Sequence, residues 1–140
     1  MVGNDVFNEP WLDEALAQYS AILYVETVHG SEEAVRLVNE CRAAYQLPRV
    51  LEGDDRRVDS PLWAFAPDGD GLFETVYDGG AVFLHELRQV MGTDAFLEGL
   101  RRYYTWHQYG RATGAAFRAA MQSATAEDLE LFFQEWMTPP

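Results

Sequence analysis

The stretch WLDEALAQY, residues 11–19, decides the fold class because its apolar positions recur with the period of an α-helix. Pro10 suits a first helical turn, and Gly30 suits a helix end. The sequence therefore predicts an amphipathic helix over residues 10–28 with one face in the core. The predicted buried stripe comprises Trp11, Leu12, Ala15, Leu16, Tyr19, Ile22 and Leu23.

Further segments of the chain show the same helical period, and none alternates convincingly as a strand. The pattern predicts helices over residues 31–47, 72–91, 93–108, 113–123 and 125–136. Pro48 is expected to stop the second helix, and the closing TPP of residues 138–140 cannot continue the last one. The chain is thus predicted to be an all-α array of about six helices, forming a single domain over residues 1–140.

Helix starts and buried faces follow from the same pattern. Ser31 and Thr93 stand at expected starts and are predicted N-caps, and Thr113 starts the fifth helix. The expected inward residues are Leu72, Phe73, Val76, Gly80, Phe83, Leu84, Leu87 and Met91 on the third helix, and Phe96, Leu97, Leu100, Tyr103 and Tyr104 on the fourth.

Residues 48–71 are polar and punctuated by proline and glycine, which predicts a long loop within the domain. Its apolar segment, residues 61–65, is expected to pack on the helices, and the alternative is that it forms the wall of a cleft. Trp11 and Trp63 are both expected to be packing groups.

Composition narrows the class of protein. The net charge is −13, from 23 acidic and 10 basic residues, which makes nucleic acid a poor partner. Such a surface favours solubility and would attract cationic ligands or a basic partner. No apolar run approaches the ~20 residues of a membrane span. Cys41 is the only cysteine, so no internal disulfide and no cysteine-based zinc site can form, and an inert core position is expected.

The chain carries no complete active-site motif of its own. The segment HELRQ, residues 85–89, looks like HExxH with its second histidine replaced by Gln89. A zinc pair on one helix needs imidazoles at i and i+4, so His85, Glu86 and Gln89 are interpreted as a solvated face. The sequence also has neither a phosphate-binding glycine loop nor a Gly-x-Ser-x-Gly elbow.

Two short segments nevertheless resemble one enzyme family. WLDEALAQY resembles the WLNEGFAxY stretch of the zinc aminopeptidase-like M1 family, and YDGGA, residues 77–81, resembles its YxKG stretch. Tyr77 lies 63 residues after Glu14, which matches the family's spacing. The similarity extends over residues 8–137, with Gly79 in place of the family's usual Lys and Ala15 in place of a common Gly.

The resemblance implies a fold, an activity and roles for three residues. The fold is the C-terminal helical lobe of a thermolysin-like (gluzincin) catalytic domain, and the activity is hydrolysis of peptide substrates with zinc. Glu14 would be the third zinc ligand, and the Tyr77 hydroxyl would assist catalysis. Asp13 stands where the family usually has Asn, so it would support the ligand without touching the metal.

The family's HExxH motif, which supplies two zinc-binding His and the general base, should precede Glu14. Only 13 residues precede it here, and none forms that motif. The chain is therefore expected to be a fragment without the N-terminal lobe, inactive alone and holding no zinc of its own. A face including Trp11, Glu14 and Tyr77 would then lie open and self-associate. The alternative is a non-catalytic helical scaffold or protein-interaction domain derived from that fold.

Overall fold

The computed structural model describes residues 2–65 and 67–137, and over that part the chain is helical with a single isolated β-bridge, between Gly3 and Arg111. The α-helices of this part are α1 (Trp11–His29), α2 (Ser31–Glu52), α3 (Gly79–Met91), α4 (Thr93–His107), α5 (Gly114–Ser123) and α6 (Glu130–Trp136). A 3₁₀ turn covers Leu62–Phe65, and a π-helix covers Phe73–Asp78 and leads directly into α3. The predicted all-α class and its six helices are confirmed. No helix in the described ranges is long and apolar enough to cross a membrane.

The core forms where α1 packs against α2 and α3, with α4 and α5 completing it. Trp11 lies at its centre, with its ring edge-to-face on Phe83 at 5.8 Å and on Phe117 at 5.3 Å between ring centroids. Tyr19, about two turns further along α1, contacts Phe96 of α4 in the same edge-to-face geometry, with 5.9 Å between ring centroids. Edge-to-face aromatic pairs of this kind add to the free energy of area burial.

The predicted stop at Pro48 is wrong, because α2 continues through it to Glu52. Gly53 ends the helix instead, in the left-handed region with φ 71°, and its N–H donates to the Pro48 carbonyl. The Arg49 guanidinium donates to the Tyr45 carbonyl at 2.9 Å and lies 3.6 Å above the centroid of the Tyr45 ring. These contacts hold the helix together across the proline, so the predicted loop over residues 48–71 is shorter and contains the 3₁₀ turn.

Two predicted caps are wrong because a single glycine joins each pair of consecutive helices. Gly30 (φ 94°) lies between α1 and α2, and Gly92 (φ 79°) lies between α3 and α4. Each glycine is both the end of one helix and the N-cap of the next. Ser31 and Thr93 are therefore first helical residues, and neither caps with its side chain.

The start of α5 is confirmed, since the Thr113 hydroxyl accepts a hydrogen bond from the Ala116 N–H at 3.2 Å. The start of α6 is later than predicted. The Asp128 carboxylate accepts from the Glu130 N–H at 2.9 Å, which starts the helix there instead of at Thr125. The expected stop at residues 138–140 lies outside the described residues.

Three predicted packing residues are exposed. Phe73 is 55% exposed because it lies on the π-helix, whose wider turn breaks the α-helical register used for the prediction. Tyr104 is 49% exposed, since Tyr103 beside it takes the inward position against Phe117. In residues 61–65 the buried contact comes from Phe65, and Trp63 is 72% exposed.

Candidate functional site

Glu14 lies in the first turn of α1, between two residues that fix the orientation of the helix. Leu12 and Ala15 on either side of it are buried in the core, and the Glu14 N–H donates to the Pro10 carbonyl at 3.2 Å. The Glu14 side chain is half-buried. A helical wheel places it off the apolar stripe, as expected for a side chain at the edge of a cleft.

Tyr77 lies on the π-helix that precedes α3, and its side chain is also half-buried. Its ring stacks on Phe73, with 4.7 Å between centroids and 12° between planes. π-helical turns are rare and occur frequently at functional sites, because they present a side chain that a regular turn would rotate away. Phe73 therefore covers one face of the Tyr77 ring from the solvent side.

The fold brings Glu14 and Tyr77 together although they are 63 residues apart in sequence. The pKa of Tyr77 is raised to about 12, first by burial, then by a hydrogen bond to the Glu14 carboxylate and by its charge, and then by the charge of Asp13. Each of these effects disfavours the phenolate beside an anionic group. The phenol therefore keeps its proton at neutral pH and is available as a hydrogen-bond donor.

Asp13, the third predicted site residue, is exposed at the first turn of α1. Its negative charge reaches both Tyr77 and Tyr103, and in each case it contributes to a raised pKa after burial has made the largest contribution. Its supporting role toward Glu14 stays a prediction.

Gly79 and Gly80 are buried close-contact positions at the start of α3. A Cβ at Gly79 would lie 2.5 Å from the Tyr45 ring of α2, and a Cβ at Gly80 would lie 2.4 Å from the Ala15 Cβ of α1. Absence of side chains at these positions lets α3 approach both neighbouring helices. The glycine in place of the family's usual Lys therefore has a packing reason in this chain.

A protein zinc site uses three or four ligands. Within residues 2–65 and 67–137 there is no group of three or more His, Cys, Asp or Glu side chains that could hold a metal ion. The half-buried Glu14 carboxylate is a donor type that zinc accepts, and the neutral Tyr77 phenol beside it does not compete for the metal. The residues present fit one carboxylate ligand of a zinc site.

The prediction of a solvated face for residues 85–89 is wrong for its first two members. His85 is half-buried, and its Nδ1 lies 3.3 Å from the Tyr19 hydroxyl while Nε2 lies 2.9 Å from the Gln89 amide nitrogen. Burial lowers the pKa of His85. Glu86 pairs with Arg42 of α2. These side chains tie α3 to α1 and α2.

Trp11 does not belong to an open face with Glu14 and Tyr77, because only 1% of it is exposed. It fills the core beneath the first turn of α1. Sequence reasoning also missed Phe73 as a neighbour of Tyr77. The signal was present, since aromatic residues at i and i+4 meet on a helix.

Cys41 is buried, as predicted for a core position. Burial raises the pKa of its thiol to about 12, helped by a hydrogen bond with Asp78. Burial also raises the pKa of Asp78, the residue that follows Tyr77. The last residue of the π-helix, Asp78, therefore interacts with the Cys41 thiol of α2, and both groups hold their protons more tightly than usual.

The profile of the peptidase family M1 domain matches residues 1–136. The chain belongs to peptidase family M1. This membership covers both segments that carry Glu14 and Tyr77, so the two residues that meet in the fold stand in matched parts of the family domain.

Curated relatives of this M1 chain agree with the assignment. Aminopeptidase N of Lactococcus lactis subsp. lactis is 34% identical over 139 residues, which are 96% of this chain and 16% of that protein. Aminopeptidase N of Lactobacillus helveticus is 26% identical over 132 residues, 93% of this chain and 16% of that protein. Tricorn protease-interacting factor F2 of Thermoplasma acidophilum is 22% identical over 138 residues, 96% of this chain and 17% of that protein. The chain thus corresponds to one segment, 16–17% of the length of these relatives.

Proposed function

We propose that this chain is part of the catalytic domain of a zinc-dependent M1 peptidase, with Glu14 as a zinc ligand and Tyr77 as a catalytic hydrogen-bond donor. The supporting observation is that the fold brings the Glu14 carboxylate near enough to the Tyr77 phenol to raise its pKa, although the two residues lie 63 positions apart in segments that resemble the family's motifs. The peptide substrate and the zinc follow from the family of the relatives, the aminopeptidases N.

The proposed mechanism assigns one task to each side chain. Zinc, when bound, lowers the pKa of a water molecule and polarises the peptide carbonyl. Glu14 would hold the metal through a carboxylate oxygen, and its buried neighbours Leu12 and Ala15 hold this turn of α1 in place. Tyr77 keeps its proton on Oη at neutral pH, because a phenol has an ordinary pKa near 10 and burial raises the pKa further. It would donate a hydrogen bond to the developing oxyanion. Asp13 supports the orientation of Glu14 from the same helical turn.

The other parts of the site are proposed to come from sequence outside this chain. Peptide hydrolysis by this family needs the two His and the Glu of an HExxH motif, and residues 1–140 contain none. We therefore propose that the lobe carrying HExxH packs on the face that presents Glu14 and Tyr77. The 140-residue chain alone is then inactive, binds zinc weakly and self-associates through this face, where Phe73 is 55% exposed.

The test uses the full-length polypeptide that contains this chain, assayed for zinc content and for hydrolysis of aminoacyl-p-nitroanilides. Glu14→Gln is expected to lower both, because the amide is a poor zinc ligand. Tyr77→Phe is expected to lower kcat by about 10²–10³-fold with zinc content unchanged, as for loss of one oxyanion donor. Glu32→Gln, at an exposed site in the first turn of α2, is the matched control and should change neither.

Two results would overturn the proposal. One is Glu14→Gln protein with wild-type zinc content and activity. The other is a complete reading frame without an HExxH motif upstream of Glu14, which would favour the alternative of a non-catalytic scaffold with the same fold.

A further inference from the structure

Helices α1 and α3 touch at one point where neither can come closer. Gly80 is buried, and a Cβ placed on it would lie 2.4 Å from the Ala15 Cβ and 3.1 Å from the Ala15 Cα. Carbon atoms in ordinary contact are about 3.5–4.0 Å apart. A side chain at position 80 would therefore push the two helices apart by about 1 Å.

This contact is formed by residues that are close in sequence to the two proposed site residues. Ala15 follows Glu14 directly in the first turns of α1, and Gly80 comes three residues after Tyr77. The π-helix joins α3 without a break, since the Gly79 N–H donates to the Glu74 carbonyl across the junction. A displacement of Gly80 relative to Ala15 is therefore transmitted to Tyr77 relative to Glu14.

The residues around Gly80 are packed closely, so no empty space is available to accept an added side chain. Ala15 is 0% exposed, and Val58 lies on the other side of Gly80, 3.8 Å from the position of such a Cβ. The next residue back, Gly79, is covered by the Tyr45 ring of α2. Closely packed interiors respond to added volume by shifting backbone, because few voids are available to absorb it.

We propose that the contact between Gly80 and Ala15 is a positioning device that sets the separation of the Glu14 carboxylate and the Tyr77 phenol. Gly80 touches neither metal nor substrate and acts through the helices that carry the two site residues. The effect of this contact on catalysis rests on the function proposed above. Its effect on the separation of Glu14 and Tyr77 does not.

The experiment measures proximity directly in the 140-residue chain by NMR. Nuclear Overhauser effects between the Tyr77 ring protons and the Glu14 side-chain methylene protons report their separation, and their intensity falls steeply with distance. In Gly80→Ala these cross-peaks are expected to lose most of their intensity. The matched control is Gly99→Ala in α4, where a Cβ would lie 2.4 Å from the Met121 sulfur and 3.3 Å from the Met121 Cα. This variant strains the contact between α4 and α5 and should leave the cross-peaks unchanged.

A compensating swap keeps the test decisive if Gly80→Ala fails to fold. The double variant Ala15→Gly/Gly80→Ala moves the single Cβ from one helix to the other and preserves the amount of carbon in the contact. The swap removes the 2.4 Å contact and leaves the 3.1 Å approach to the Cα of residue 15, so it is expected to fold and to regain part of the cross-peak intensity. In the full-length protein, Gly80→Ala is expected to lower kcat by about 10²-fold with KM close to wild type, the loss typical of a misplacement of about 1 Å, and the swap should recover part of it.

Unchanged cross-peaks in folded Gly80→Ala, their equal loss in Gly99→Ala, or a swap that restores neither folding nor cross-peaks would overturn the inference. Failure of the proposed function gives a different pattern: a full-length protein that binds no zinc and hydrolyses no peptide, with the NMR result still deciding the positioning role.

Discussion

In the pair of Glu14 and Tyr77, the carboxylate changes the pKa of the phenol. An anionic carboxylate beside a half-buried phenol raises the pKa of the phenol, and the phenol in turn gives the carboxylate a hydrogen-bond donor. A residue that works as a donor must hold its proton across the working pH range, and burial is the largest cause that keeps the proton on Tyr77.

Removing the Glu14 charge should lower the pKa of Tyr77. Glu14→Gln is expected to bring the phenol from about 12 toward its ordinary value, with part of the rise remaining because burial is the largest cause. Ultraviolet titration, with the Tyr77→Phe spectrum subtracted, measures this pKa. Glu32→Gln is the control, and a Tyr77 pKa that does not respond to Glu14→Gln would contradict the contact.

The same shift makes stability depend on pH in a defined direction. The folded state holds the Tyr77 proton more tightly than the unfolded chain does, so the contribution to the free energy of unfolding is fully present below pH about 10. It is lost as the pH rises from there toward about 12. In Glu14→Gln this alkaline loss should be smaller.

At this scale the sequence identified Glu14 and Tyr77 only through two motifs and their spacing. Helical periodicity alone places Glu14 off the apolar stripe of α1, because a helical wheel describes one helix and not the neighbours that half-bury the side chain. The partner that stacks on Tyr77, Phe73, was assigned to the core because the π-helical turn that exposes it is invisible to a 3.6-residue period.

The presence of the six helices was easier to predict than the residues at which each helix begins and ends. All six periodic segments form helices, since burial of a continuous apolar stripe is a strong signal summed over many residues. The ends depend on single residues. Gly30 is predicted as a helix end, but a joint of one residue, as at Gly30 and Gly92, leaves no place for a separate cap, so Ser31 and Thr93 are helical residues.

Pro48 tests how α2 tolerates a residue that should break it. The proline lies inside the helix, where it removes one backbone hydrogen bond, and the helix persists to Glu52. Pro48→Ala is expected to raise the free energy of unfolding by about 1 kcal/mol, because the restored hydrogen bond outweighs the greater freedom of the unfolded chain.

Urea unfolding followed by circular dichroism measures the change at Pro48. Pro10→Ala is the control, because a proline at a helix start removes no intrahelical bond, and it should give no comparable gain. Loss of stability in Pro48→Ala would mean that the contacts of Arg49 with Tyr45 depend on the bend imposed by the proline.

Over the whole molecule, one aromatic cluster connects the early and late parts of the chain. Trp11 of α1 meets Phe83 of α3 and Phe117 of α5, and Phe83 in turn packs on Phe133 of α6. The contact between Trp11 and Phe117 joins residues more than a hundred positions apart, and no local pattern could have paired them. The sequence predicted that Trp11 packs, and the same segment's resemblance wrongly placed it on an open face.

Substituting Trp11 should therefore unfold the molecule as a unit. Trp11→Ala removes a side chain that is 1% exposed, and the transfer and cavity costs together are expected to be about 3–5 kcal/mol. The free energy of unfolding of a small domain is only about 5–15 kcal/mol, so the variant should lose a large part of it. Trp63→Ala removes the same side chain from a site that is 72% exposed, and it should change the unfolding midpoint little. Equal losses in the two variants, measured by thermal and urea unfolding, would contradict the assignment of Trp11 to the centre of the core, because only burial distinguishes the two positions.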